Sequence, residues 1–508
     1  MNVLVLNMGM KSIRSIVFND RGKKLSSYSK TLTSAIDDTR VEQTPCEWCD
    51  KALDVMKASI SIANIKSLDY ITVTTSASCL VCIDESGKPI GNAIMVSDKR
   101  AIRETDEIRE KPSCHKVEAD TGLEMTVSLM LPKILWIKKN DPQTYGNTAY
   151  FLTPNDFLIQ FLSGIIVTDE LNALKYHYSL SSGRYPTHLL SELGIQVEKL
   201  PNVVKTGTVV GTIRDSIAEQ IGIRKDIKIV ATSYDAICSF IGSGVSDEGE
   251  ASDVSGTVTV FRMLSRKNEL LPSSRVYTTL FRQGDFNIIG GSNNLGGGLI
   301  EWVKQCYYAK EEYPYEVMEK EAAESEIGAR GIVFLPYLLG ERAPIWNDNA
   351  RGTFFGLERM HTRKDMTRAV FEAAAFIDRT MMEAIGETTA DVTTIRLSGG
   401  LARVNLISQI KADVTGKEVI VLSEFETTAS GAAMMVLNAQ EKMSFSELSQ
   451  YFSRSRMTIH PDKDSHEKYN VVYDMFKETY DLLLPMFDRR IELLNQIRNP
   501  RETQIENL

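Results

Sequence analysis

The stretch IKIVATSYDAICSFIGSG, residues 227–244, decides the fold. Its β-branched run, Ile227 to Val230, predicts a strand. Residues 231–234 make a short turn, and Asp235 opens a helix that Gly242 and Gly244 close. A strand turning tightly into a helix holds one carboxylate at the mouth of the turn, where open α/β sheets place their ligands. An Asp there is also a common helix cap, so this stretch alone supports both a capping role and a chemical one for Asp235.

Moving outward, residues 3–6 (VLVL) predict a strand, residues 7–12 (NMGMKS) a turn, and residues 13–18 a returning strand. The turn offers an anion the backbone N–H groups near Gly9 and the charges of Lys11 and Arg14. After Gly244 the pattern restarts: ASDVSGTVTVFRM (251–263) is again strand–turn–strand, with Gly256 and Thr257 in the turn. The echo predicts an internal duplication, with a first domain over 1–245 and a second over 246–508. Two such hairpins facing across a cleft would clamp a nucleotide triphosphate from both sides.

The second half carries further signals. GGSNNLGGGLIEW (290–302) runs from glycines into a helix, and residues 334–357 read as a long irregular loop. Residues 395–400 are a strand ending in the pair Gly399-Gly400, followed directly by a helix from Asn405 to Val414. That arrangement lets glycine backbone and a helix N-terminus approach a nucleotide. Residues 364–386 form an amphipathic helix. Residues 427–438 form a small-residue helix whose Gly431-Ala432-Ala433 permits close packing. Residues 466–498 make one or two amphipathic helices, and 499–508 a polar tail.

Composition narrows the classes. A net charge of −9 over 508 residues argues against a nucleic-acid surface, which needs clustered Lys and Arg. No apolar run reaches the ~20 residues that span a bilayer. MNVLVLNMGMKS lacks a basic lead and reads as a first strand, so the expected compartment is the cytoplasm. Seven cysteines cannot all pair. Cys46-x-x-Cys49 opens a helix and Cys79-x-x-Cys82 lies in an apolar strand, so free thiols are favoured over zinc. After a short strand at 93–96, Asp98 and Arg100 offer groups for polyol hydroxyls, or simply a charged loop.

Taken together, the pieces resemble the FGGY family of carbohydrate kinases, which includes xylulokinases, glycerol kinases and gluconokinases. In order they are VEQTPCEW, LVCIDESGKPIGNAIMVSDKR, LPKILWIKKNDP, NDFLIQFLSG, VTDELNA, SYDAICSFIGSG, SGT, FLPYLLGERAPIWNDNARGTFFGL, LSGG, and ADVTGKEV with TTASGAA, spanning about residues 3–485. The resemblance implies an α/β fold of two actin-like (ribonuclease-H-like) domains with a cleft between them. It implies sugar bound on the first domain, ATP between the two, and phosphoryl transfer to a sugar or polyol hydroxyl. Asp235 matches the general base. Gly9, Lys11, Arg14, Gly256 and Thr257 match the phosphate hairpins. Gly297, Gly399, Gly400 and Asn405 match the nucleotide side. Ser76, Ala77, Ser78 and Asp98 fall where relatives contact sugar. Mg²⁺ would meet Asn7 and Asp235. A homodimer is compatible with the family.

The sequence also departs from the pattern. The first hairpin of relatives reads Asp-x-Gly-Thr, and here it is Asn7-Met8-Gly9-Met10. A carboxylate and a hydroxyl are thereby lost where a hard cation prefers oxygen ligands. The Gln-Met-His of xylulokinases is Ser76-Ala77-Ser78, and the Thr-Ser of the second hairpin is Thr257-Val258. Two readings follow: an ATP-dependent kinase acting on a sugar such as xylulose, or a non-catalytic sugar- or nucleotide-binding protein on the same scaffold.

Overall fold

The structure, a computed structural model, describes residues 1–65, 67–256, 258–267, 273–424 and 426–498. The first strand shows how the sequence builds it. In β1 (Asn2–Met8), Leu4, Leu6 and Met8 enter one apolar core while Val3 and Val5 enter another. Side chains alternate across a strand, so a strand apolar at every position is buried on both faces and sits inside a sheet.

β1 pairs antiparallel with β2 (Ser12–Asn19), which pairs with β3 (Lys24–Thr31). On its other side β1 lies parallel to β4 (Tyr70–Thr75). The sheet is completed by β5 (Val209–Thr212) and β6 (Lys228–Ala231), in the order β5-β6-β4-β1-β2-β3. Helix α1 (Pro45–Ala63) covers the first core with Trp48, Ala52, Val55 and Met56. Helix α2 (Asp235–Gly242) follows β6 and lies on the opposite side, where Ile237, Phe240 and Ile241 join the second core.

The second sheet repeats this plan. β7 (Glu250–Ser255) and β8 (Thr259–Ser265) form the hairpin, and β9 (Tyr277–Phe281) and β10 (Phe286–Ser292) extend it. β11 (Thr394–Gly399) lies parallel to β7, β12 (Glu418–Leu422) parallel to β11, and β13 (Ser455–Ile459) closes the edge antiparallel. The order is β9-β10-β8-β7-β11-β12-β13. Strands β1, β2, β3, β4, β6 and β5 thus correspond to β7, β8, β10, β11, β12 and β13. The duplication expected from the two hairpins is present.

Between strands of the second half run α3 (Gly297–Tyr307), α4 (Pro314–Ala323), α5 (Arg363–Thr388) and α6 (Asn405–Thr415). α7 (Thr427–Glu441) follows β12 as α2 follows β6, and the two helices pack together. At their contact a Cβ on Gly242 would stand 1.8 Å from the Thr427 carbonyl oxygen, and one on Gly431 would stand 1.7 Å from that of Cys238. Only glycine permits backbones this close. α7 also lies on β1 and β4, so this piece of the second half completes the core of the first sheet.

Two expectations are corrected, and of the one or two C-terminal helices expected the structure shows one. Tyr234, extended at φ −74° and ψ 165°, occupies the N-cap of α2, and Asp235 is the first helical residue, so the capping role for Asp235 fails. The loop over 334–357 is closed by an antiparallel pair, Val333–Leu335 with Thr353–Phe355. The C-terminal region is one helix, α8 (Lys463–Arg498), running through Pro485. The tail over 499–508 lies outside the described residues, and no described helix is long and apolar enough to cross a membrane.

Candidate active site

Asp235 sits where the C-terminal ends of parallel β1, β4 and β6 meet the start of α2. The turn before it is pinned. Thr232 and Thr72 share a hydrogen bond of 2.8 Å, and Lys175 Nζ lies 4.6 Å from the centre of the Tyr234 ring. Asp169, buried at the end of VTD, accepts the Leu171 and Asn172 N–H groups and the Asn172 side-chain amide, and burial pushes its carboxyl up to about 6. The Ser76 hydroxyl donates to Asp235 Oδ2 at 3.1 Å. Burial raises the Asp235 pKa, opposed by Ser76, the Ala236 N–H and the charges of Arg262 and Lys175. Arg262 reaches over from β8 and donates to the Ala236 carbonyl at 2.8 Å, tying the second lobe to the first turn of α2.

The first hairpin is brought to this carboxylate. The Ser76 N–H donates to the Met8 carbonyl at 3.1 Å, and Gly9 N–H to the Ser12 carbonyl at 3.0 Å. Space around Gly9 is open: a Cβ there would meet nothing within 4 Å. Asn7 is half-buried beside Thr74, at the same sheet edge. Lys11 is exposed. Arg14 instead pairs with Glu426, just before α7, so its charge fastens the two lobes.

The expected sugar strip divides. Ser76 and Ala77 are half-buried and Ser78 is buried in left-handed backbone, φ 61°. Lys133, fully buried, donates to the carbonyls of Ser78 and Ser128, with burial pushing its ammonium down to about 8. Asp98 lies behind this strip. Its oxygens receive the Val41 N–H at 2.7 Å and Arg100 Nε and Nη2 at 2.9 and 2.7 Å. Asp98 is therefore held by Arg100 and is not a free ligand for hydroxyls.

The second hairpin is wired from both sides. Gly297 N–H donates to the Gly256 carbonyl at 2.7 Å and Gly400 N–H to the Ser255 carbonyl at 2.8 Å. Gly399, at φ 88°, brings its Cα so close that a Cβ would stand 2.5 Å from Ser255 oxygen. Ser255 Oγ donates to Asp253 at 2.6 Å, and Asp253 in turn bonds the buried Lys411, which also holds Asp378. From the other side Asn293 Oδ1 accepts the Thr259 N–H at 2.8 Å. The Asn293 carbonyl accepts Arg342 at 2.6 Å, and Glu341 accepts the Asn294 N–H at 2.8 Å. The GERAPIW segment thus braces the hairpin. Thr257 itself lies outside the described residues.

Beside Gly297 and Gly400 opens a cavity of about 380 Å³, walled by Ile300, Tyr315, Leu401 and Val404 with Glu301 and Arg403 at its rim. An apolar slot of this size next to clustered glycine backbone suits a purine with phosphates beyond it. Ile300 and Glu301 are one turn on from Gly297 and could have been read from helical spacing. Tyr315 and Glu319 come from α4, which carried no motif. Asn405 is exposed and accepts Arg456 at 3.0 Å. The N-terminus of α6 gives its Leu406 N–H to Glu319 at 2.8 Å, so a carboxylate of the chain already occupies the helix end expected to meet nucleotide.

The donor set also bears on metal. Among the described residues no three His, Cys, Asp or Glu side chains form a metal-binding group. Mg²⁺ at phosphotransfer sites is commonly held by one or two carboxylates plus the phosphates themselves. Of the two residues expected to meet the metal, Asp235 offers a carboxylate and Asn7 only an amide oxygen.

The comparisons agree with the geometry. Residues 2–242 match the N-terminal domain of the FGGY family of carbohydrate kinases, and residues 251–439 its C-terminal domain. The xylulose kinase of Bacillus subtilis (strain 168) is 26% identical over 485 residues, covering 94% of this chain and 96% of its own. The gluconokinase of the same organism is 26% identical over 487 residues, covering 93% and 94%. The solved xylulose kinase from Rhodospirillum rubrum superposes with a TM-score of 0.88 at 25% identity, covering 96% of this chain and 100% of its own. Duplicated lobes around such a cleft define a two-lobed sugar kinase scaffold. The chain belongs to the FGGY family of carbohydrate kinases.

Proposed function

We propose that this protein transfers the γ-phosphate of ATP to a hydroxyl of a sugar or sugar derivative such as xylulose, with Asp235 accepting the hydroxyl proton. The observation that carries the proposal is the setting of Asp235: a carboxylate at the cleft, held by one serine hydroxyl, with burial raising its basicity toward working pH. Relatives named xylulose kinase and gluconokinase support a pentulose or an aldonate as the substrate class in this reading.

In this reading Ser76, Ala77 and Ser78 line the sugar side, and Asp98 acts from behind by fixing Arg100. The backbone at Gly9, Gly256, Gly297, Gly399 and Gly400 lies along the phosphates, and the slot at Ile300 and Tyr315 takes the base. In the same reading Lys11, exposed on the first hairpin, contributes its charge to the phosphate chain. Asn405 and Arg14 act as braces. Bound MgATP supplies the transferable phosphoryl group, its charge already partly neutralised by the metal. Asn7 and Asp235 are the chain's contribution to holding that metal. The cytoplasm, where ATP is abundant, is the expected compartment.

The test is ADP release over a panel of pentuloses, hexuloses, polyols and aldonates with Mg²⁺ or Mn²⁺. Turnover with a pentulose or an aldonate supports the proposal. No turnover above background with any sugar overturns it in favour of a binding protein on a kinase scaffold, the reading that the Asn7 and Met10 departures favour.

A further inference from the structure

Away from the catalytic cleft, the first lobe carries another cavity, of about 360 Å³, between the helix Cys114–Thr121 and the segment 177–188. None of its lining residues belongs to the candidate active site. Its volume suits a small molecule. Both walls are fixed from outside. The helix ends at Gly122, in left-handed backbone (φ 66°), where an added Cβ would stand 3.8 Å from the Thr278 carbonyl oxygen of β9. On the facing wall Ser179 N–H donates to the Arg184 carbonyl at 2.9 Å, and Ser182 N–H to Ser179 Oγ at 3.2 Å. The Tyr185 ring meets Tyr178 edge-on at 5.2 Å while its hydroxyl donates to the Pro201 carbonyl at 2.8 Å. Arg282, just after β9, donates to the Leu180 carbonyl. A ligand would meet walls already in place, so little of its binding energy is spent on ordering them.

The floor of the cavity offers an acceptor that the chain itself does not use. His177 is buried there beside Val117 and Thr121. A carbonyl can only accept, so His177 Nε2 carries the proton in its 3.2 Å bond to the Leu123 carbonyl. Burial keeps the ring neutral, pushing its pKa down to about 4. Nδ1 is then a lone-pair acceptor, and it has no hydrogen-bond partner in the chain. Buried polar atoms are normally satisfied, and a ligand hydroxyl would satisfy this one.

The rim carries the opposite chemistry. Lys116 from the helix and Arg184 and His188 from the facing segment are exposed around the mouth. Neither Lys116 nor Arg184 has an ion-pair partner among the described residues. Cationic donors on opposite walls suit a phosphate, which the planar fork of an Arg can bind through two oxygens. Asp120, one turn on from Lys116, adds an acceptor at the same rim. A bare anion would leave both acceptors, Asp120 and His177 Nδ1, without use. A ligand bearing a phosphate and hydroxyls engages both sets.

We propose that this cavity is a second binding site, outside the catalytic cleft, for a small phosphorylated polyol, its phosphate held between Lys116 and Arg184 and a hydroxyl donated to His177 Nδ1.

Isothermal titration calorimetry on the full-length protein tests it, with glycerol 3-phosphate, ribitol 5-phosphate and xylitol 5-phosphate as probes. At least one is expected to bind with a Kd below about 1 mM, while the free polyols and inorganic phosphate bind about tenfold or more weakly. Arg184→Glu and Lys116→Glu, both at exposed positions, should each weaken that binding about tenfold or more without moving the melting temperature. Heat is read here and not turnover, so failure of this site and failure of the proposed kinase activity are distinguishable. Absence of binding by every probe overturns the proposal. So does binding that both charge reversals leave unchanged, which places the probe in the catalytic cleft. Inorganic phosphate binding as tightly as the probes overturns the role of the His177 floor.

Discussion

Replacing Gly242 or Gly431 by alanine tests how the two lobes are joined. The added Cβ would stand 1.8 Å from the Thr427 carbonyl oxygen in the first case and 1.7 Å from that of Cys238 in the second. Both obstacles are helix backbone, which has no rotamer to retreat into. Ordinary contact requires α2 and α7 to separate by about 1.5 Å. Overpacking of a filled core costs ~1–3 kcal/mol, and an immovable backbone places these variants at the upper end. Thermal unfolding should fall by about 3–6 °C. The separation also moves Asp235, because it is the first residue of α2 and Arg262 of the second lobe bonds its first turn. A ~1 Å misplacement of a reacting group costs about 10²-fold, so kcat should drop by that order in whatever fraction remains folded. Differential scanning fluorimetry and steady-state ADP release read the two effects. If both variants melt within about 1 °C of the native protein and keep kcat within about twofold, the close contact is not what joins the lobes.

Other positions give contrasting outcomes. Gly9→Ala adds a methyl that meets nothing within 4 Å, so melting should not change; the KM for ATP should rise about tenfold, because phosphate can no longer approach that backbone. Lys411→Met strands the buried carboxylates of Asp253 and Asp378, and chemical denaturation should show a loss of ~3–5 kcal/mol that Lys411→Met, Asp253→Asn and Asp378→Leu combined largely recover. His177 is buried with its Nε2 on the Leu123 carbonyl, and burial pushes its pKa down to about 4. The unfolded chain therefore binds a proton that the folded one refuses between about pH 6.5 and 4, so stability falls as pH drops through that window, by about 3 kcal/mol. His177→Gln should flatten the dependence of melting temperature on pH there.

The parts legible in the sequence were those with local signals. The strand–turn–helix at Asp235 and the two hairpins announce themselves by β-branched runs broken by small turn residues, and their echo disclosed the duplication. The glycines of the two interdomain helices were visible as small residues, though not as one another's partners. What stayed hidden depends on residues far away in the chain. Arg14 reads as a phosphate ligand until Glu426 is seen beside it, and Asn405 as a nucleotide contact until Arg456 claims it. Asp98 reads as a polyol ligand, whereas Arg100 holds both its oxygens. The reading of Asp235 as a cap missed by one residue, because helix starts are the least determined part of a local pattern. No periodicity could show that α7, from the second half, completes the core of the first sheet.

The central claim is that Asp235 accepts the proton of the sugar hydroxyl. Asp235→Asn keeps the shape and the Ser76 hydrogen bond while removing the basic oxygen. With the sugar found in the panel, the kcat of this variant should fall by about 10²–10⁴-fold while calorimetry shows ATP and sugar still binding. A kcat within about tenfold of native, with binding intact, would contradict it.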